Sequence, residues 1–145
     1  MIRLETQVQI GRPIDDVFSY VADPGNLPQW NSAVQVARKT AAVGDNDVGT
    51  SYGLERQLPT GKAENELEVV VRERPTGFAI RTTSGPTPFA YKFRFASESD
   101  TTLLDVEAQA ELGGIADLLR PLARLAVQRG VNENLATLKA ILESS

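Results

Sequence analysis

The stretch PIDDVFSYVADPGNLPQWN, Pro13 to Asn31, sets a short amphipathic helix and an aromatic-tipped turn between two strand-like segments. Ile14, Val17, Phe18 and Val21 recur at helical spacing, and Pro13 suits the first helical position. Asp15 and Asp16 fall in the first turn, where the positive end of the helix dipole favours negative charge. Pro24 ends the helix, because a proline there lacks the N–H that would continue it. Leu27, Pro28 and Trp30 leave room for one further turn that lowers a large aromatic onto the surface beneath. Such an order fits a sheet whose core has a short helical cover at its mouth or wall.

The flanking text supplies that sheet. Ile2, Leu4, Thr6, Val8 and Ile10 alternate with Arg3, Glu5, Gln7 and Gln9, the pattern of a half-buried strand. Ala33 to Thr40 reads as a second strand, followed by the Gly- and Asp-containing loop AAVGDNDVG. PTG at Pro59, RPTG at Arg74, GPTP at Gly85 and SESD at Ser97 then divide the chain at the intervals of an antiparallel meander. The expected strands are Val48 to Leu58, Lys62 to Glu73, Phe78 to Ser84, Phe89 to Ala96 and Thr102 to Leu112. From about Ile115 to Glu143 the text is helical, with two apolar stripes about half a turn apart. Leu118, Leu119, Leu122 and Leu125 form the first, expected over a cavity opening; Val131, Leu135, Leu138 and Leu142 form the second, expected on the sheet.

Composition removes several kinds of chemistry. The chain has no cysteine and no histidine, so thiolate nucleophiles, the Ser-His-Asp arrangement and the commonest zinc ligands are all excluded. A metal would need an all-oxygen site, and no ligand loop of that type is written here. A net charge of −4 disfavours nucleic acid as a partner, and by the same argument anionic lipid surfaces. No apolar run suits stable membrane insertion, and MIRLETQV lacks a signal-peptide layout, so a cytoplasmic protein is expected, as a monomer or weak homodimer.

The segments VQIGRPIDDVFSYVADPGNLPQWNSAV, VGTSYGLE, RERPTGFAIRTTSGPTPFAYKFRF and NLATLKAILE, in this order, resemble the START-related superfamily. Within it they are similar to the bacterial polyketide cyclase/dehydrase and lipid-transport family. The resemblance spans residues 1–145. It implies a single α+β helix-grip domain, in which a curved antiparallel sheet of about seven strands wraps a long C-terminal α-helix, with two short helices after the first strand. It also implies a mostly apolar internal cavity for a lipid, isoprenoid, steroid or polyketide-like molecule, with no cofactor. Family members include carriers, sensors and a minority of cyclases, aromatases and dehydratases, and no catalytic residue transfers by motif.

Strand alternation nominates the cavity residues. Tyr52, Leu54 and Arg56 share one face of their strand; Asn65 and Leu67 share the next; Phe78, Ile80 and Thr82, with Ser84, share the third; Tyr91 and Phe93 share the fourth. Trp30 from the turn and Leu122 from the terminal helix complete the ligand-binding set, which contains no carboxylate to act as acid or base. Arg56 is the polar anchor if it faces inward. A four-residue connection from Pro59 to Lys62 would set it inward across from Asn65. A three-residue connection would make it the surface partner of Glu64, and a two-residue Pro-Thr turn is disfavoured because proline cannot adopt positive φ.

Overall fold

The computed structural model describes residues 1–59, 61–111 and 119–145. β1 (Ile2–Ile10) leads into α1 (Ile14–Val21), a 3₁₀ turn (Pro24–Asn26) and the single-turn α2 (Leu27–Trp30). There follow β2 (Val34–Ala41), β3 (Ser51–Leu58), β4 (Gly61–Glu73), β5 (Gly77–Ser84), β6 (Phe89–Glu98) and β7 (Thr101–Ala110), then α3 (Arg120–Glu143). All seven strands form one antiparallel sheet in the order β1-β7-β6-β5-β4-β3-β2, the expected α+β helix-grip arrangement. The expected strand end at Leu112, helix start at Ile115, and Leu118 lie outside the described residues.

Local chemistry accounts for the elements. α1 buries Val17, Phe18 and Val21, the expected stripe, while Pro13 sits one residue earlier than expected, as the cap whose carbonyl accepts from Asp16 and Val17. Phe18 packs edge-on against Phe78 and Phe95, and Trp30 packs edge-on against Phe93, so both short helices plug the same core. α3 buries Val131, Leu135, Leu138 and Leu142 and packs along β1 and against α2. Its last turn is fixed by the Gly11 amide donating to Glu143 Oε2 at 2.7 Å and by Arg12 donating to the Leu142 carbonyl at 2.8 Å. A cation at that end also complements the helix dipole.

β1 is an edge strand, and α3 covers its open side. Arg120, Arg124 and Lys139 donate to the carbonyls of Met1, Arg3 and Gln9, so main-chain acceptors that β7 does not use are satisfied by side chains. At the opposite edge, β2 has two irregularities in its pairing and carries exposed Arg38 and Lys39, which blunt it against further strands.

Two departures from simple alternation affect the interior. A bulge between Val69 and Val71 sets Val71 across from Ala79 and Arg72 across from Phe78. Arg72 instead of Val71 therefore turns inward, its guanidinium 5.5 Å from the Phe18 ring centroid. A shift between Glu66 and Leu67 sets Ser84 across from Glu66 on the exposed side, so Ser84 leaves the inner face assigned to it.

Candidate functional site

The inner faces of β3 to β6 form a wall that changes character along its length. At the closed end Leu54, Leu67, Phe78, Ile80 and Phe93 are almost wholly buried, and Trp30 covers them. These expected lining residues form packed core. At the open end Arg56, Thr82, Phe89 and Tyr91 are only half-buried, and the aromatic ladder Phe89, Tyr91, Phe93 joins the two ends at centroid spacings of 5.7 Å. Among the described residues, α3 leans chiefly on β1 and α2.

Arg56 is the polar centre of the open end. The β3–β4 connection is the disfavoured two-residue one: Leu58 pairs with Gly61 and Arg56 pairs with Ala63. Gly61, at φ +127°, takes the positive φ that Pro59 cannot, which removes the objection to so tight a turn. Two residues of register separate this from the four-residue reading, so side-chain parity is preserved and Arg56 still points inward. Its Nη1 donates to Asn65 Oδ1 at 3.0 Å, to the Thr87 carbonyl at 3.0 Å and to Thr87 Oγ1 at 3.1 Å. The guanidinium lies 4.6 Å from the Phe89 ring centroid. All three acceptors are neutral, and among the described residues no carboxylate pairs with Arg56. Burial accordingly lowers its pKa from the usual arginine value, with Tyr91 acting in the opposite direction.

Asn65 is spent on structure. Its Nδ2 donates to the Ser84 carbonyl at 3.1 Å and the Pro86 carbonyl at 2.8 Å, while its Oδ1 receives Arg56. It thereby clamps the β5–β6 loop onto β4 and holds Thr87 where Arg56 finds it. Gly85, at φ +97°, is needed for that approach, because a Cβ there would lie 2.3 Å from the Glu64 carbonyl. Thr82 closes the same hairpin, accepting from the Phe89 amide at 3.1 Å and donating to the Phe89 carbonyl at 3.3 Å.

Tyr91 is stacked nearly parallel to Phe93, with 10° between the rings. Burial raises its hydroxyl pKa, while the Arg56 charge and the Asn31 side chain act in the opposite direction. Tyr52 shares the inner face, but its hydroxyl donates to Asn46 Oδ1 in the β2–β3 loop. Burial, with the Asp23 carboxylate as the next cause, pushes its pKa up to about 12. Leu122 does not join the group. It is 65% exposed and lies about 160° round α3 from the buried Leu138, on the side turned from the sheet.

Several contributors were not singled out from sequence. Phe89 was placed only as the start of the expected strand Phe89 to Ala96, and Thr87 sits in a loop with no motif. Asn31 and Asn134 join α2 to α3: Asn134 Oδ1 accepts from the Ser32 amide at 3.1 Å, and its Nδ2 donates to Asn31 Oδ1 at 3.3 Å. An asparagine inside the stripe Val131, Leu135, Leu138 was the signal available.

A groove of about 160 Å³ at the rim runs past Met1, Thr82, Phe89, Ala110 and Glu111 and reaches the open end from outside. A larger hollow of about 440 Å³ lies on the outer face among Glu5, Gln7, Lys92, Arg94, Asp105 and Glu107. Its charges alternate across strands, and the Arg3–Glu107 pair at 2.8 Å borders it, so it is a solvated charge lattice. No described helix is long and apolar enough to cross a membrane.

Comparison with known proteins adds to this geometry. Residues 1–143 match the family model described as polyketide cyclase / dehydrase and lipid transport. No curated protein matches the chain. Among solved structures, TTHA0849 from Thermus thermophilus is similar with a TM-score of 0.83 at 17% identity, over 98% of this chain and 97% of that one. A START superfamily protein from Mycobacterium smegmatis gives 0.80 at 16% identity, over 98% and 97%. The Zhui aromatase/cyclase from Streptomyces sp. R1128 gives 0.78 at 13% identity, over 97% and 93%. At such identities the likeness is one of fold.

Proposed function

From the premise that this chain belongs to the polyketide cyclase / dehydrase and lipid transport family, we propose that it carries or senses a hydrophobic small molecule bearing an oxygen-rich head. The apolar body lies along Phe89 and Tyr91, and the head meets Arg56. The observation that carries this reading is the half-buried guanidinium with three neutral acceptors on one nitrogen and no carboxylate partner among the described residues. An inward cation without a counter-charge is costly unless water or an anionic or carbonyl-bearing ligand completes its shell. An aromatic wall with one convergent polar group is also the usual make-up of a small-molecule site.

Native mass spectrometry of the purified protein tests the first half, with a retained apolar ligand as the expected result. Arg56→Leu tests the second. It should weaken a fatty-acid probe by about 1 to 3 kcal/mol, the worth of a charge-assisted hydrogen bond, and leave an alkane nearly unaffected. Equal, negligible effects on both probes would remove Arg56 from the site.

A cyclase or aromatase reading is favoured by one observation, the placement of Tyr91 beside Phe89, whose ring the Arg56 guanidinium overlies on the same wall. A tyrosine whose pKa is raised keeps its proton and can donate to a carbonyl, while Arg56 stabilises developing enolate charge. In that case Arg56→Leu depresses turnover of a poly-β-ketone more than its binding. Binding of the poly-β-ketone by the parent protein without turnover supports the carrier.

A further inference from the structure

We propose that the first turns of α3 are a docking surface for an anionic lipid bilayer. Three leucines that a soluble helix would normally bury stand in solvent here: Leu119 is 52% exposed, Leu122 65% and Leu125 66%. The second half of the same helix buries its apolar residues in the ordinary way. Leu122, Leu125 and Arg129 follow one another at i, i+3 and i+7 and so share a face. From Leu119 to Asn132 the chain holds Arg120, Arg124 and Arg129 and no acid.

The place of this patch matters as much as its composition. Arg120 and Arg124 donate to the carbonyls of Met1 and Arg3, which fixes the start of α3 beside the first residue of the chain. Met1 is 59% exposed and lines the rim groove with Phe89 and Ala110, so the start of α3, held at the Met1 carbonyl, lies beside that groove. The net charge of −4 argued against anionic surfaces, but charge is felt locally. At physiological salt the Debye length is about 8 Å, so a bilayer senses the face it meets. Glu133, the next acid along α3, lies eleven residues past Leu122, about 16 Å along the helix axis. Among the described residues, Glu111 at the rim groove is the acid that this face must tolerate, and Glu107 is paired with Arg3. Leucines entering the acyl boundary beneath arginines at phosphate level make up an interfacial amphipathic helix.

The inference goes beyond the ligand reading and is tested without ligand. The full chain is sedimented with vesicles of phosphatidylcholine alone and of phosphatidylcholine doped with phosphatidylglycerol. The expected result is binding to the doped vesicles that weakens with added salt and is much poorer on neutral ones. L122S/L125S should lower the partition coefficient by about a hundredfold and R129Q by about fivefold. V43S/V48S, which alters exposed valines in and beside the β2–β3 loop, should bind as the parent does. Leu122 and Leu125 are exposed, so matched thermal melts confirm that their replacement leaves the fold intact. The proposal is overturned by absent binding, by equal binding to neutral and anionic vesicles, or by an unaffected leucine variant. It is likewise overturned if the leucine variant abolishes a concentration-dependent dimer while vesicles bind neither protein, because the patch would then serve a second copy of the chain.

Discussion

Arg56, Tyr91 and Tyr52 show how far one side chain's role depends on its neighbours. Tyr20, Tyr52 and Tyr91 all have raised pKa values with burial as the first cause, and Tyr52 reaches about 12. A raised folded-state pKa means that folding favours the protonated phenol. The resulting stabilisation is complete below the unfolded tyrosine value near 10 and is lost as pH rises through about 12. Denaturant midpoints should therefore fall between those limits, while tyrosinate absorbance of the native protein lags that of the unfolded chain. Tyr52→Phe should shallow that fall. Arg56→Leu should move Tyr91 further up, since it deletes a charge that now lowers it. Alternation set Arg56 on the face of Tyr52 and Leu54 but left inward or outward to the β3–β4 register; the observed register differs from the four-residue one by an even step, which keeps Arg56 inward. What Asn65 does was hidden, since its partners are carbonyls of a loop whose path only the folded chain defines. Leu122 stands exposed, because a stripe of leucines states that a face is apolar and says nothing of what covers it.

Turns and bulges carry the next level of consequence. Gly61 and Gly85 both have positive φ, yet they differ in what surrounds them. No atom lies within 4 Å of a Cβ at Gly61, so Gly61→Ala should cost about 1 kcal/mol of backbone strain and leave ligand binding intact. At Gly85 the new Cβ would meet main-chain oxygen, so Gly85→Ala should displace the β5–β6 loop and release Thr87 from Arg56. Chemical denaturation should show the larger loss there, and polar-headed probes should bind more weakly to Gly85→Ala alone. Punctuation by Pro and Gly made these hairpins readable, and the strands between them followed. The bulge in β4 was unreadable because Val69, Val70 and Val71 are all apolar, which leaves no alternation to show a slip. Arg72 lies against the Phe18 ring on that account, with Asp45 and Asp47 beyond it, and nothing in its sequence neighbourhood announces it.

For the molecule as a whole, a ligand held along the Phe89–Tyr91 wall, as proposed, binds the folded chain alone, so stability should rise with ligand excess. At a hundredfold excess over Kd the gain is about 2.7 kcal/mol, readable as an upward shift in Tm with a fatty-acid probe, and Arg56→Leu should reduce that shift at equal concentration. The architecture was legible because strand, helix, meander and terminal helix each obey their own periodicity. The open end of the wall was not, since half-burial arises from elements that approach from far along the chain. One consequence follows from the cations that α3 lays on β1. If loading requires the helix to swing outward, the carbonyls of Met1, Arg3 and Gln9 lose their donors together, and a bare strand edge faces solvent. Under the proposed carrier role, ligand entry and self-association would then share one open state, so every mutation that quickens loading would also hasten precipitation, and a lipid surface shielding that edge would be the safest place for exchange.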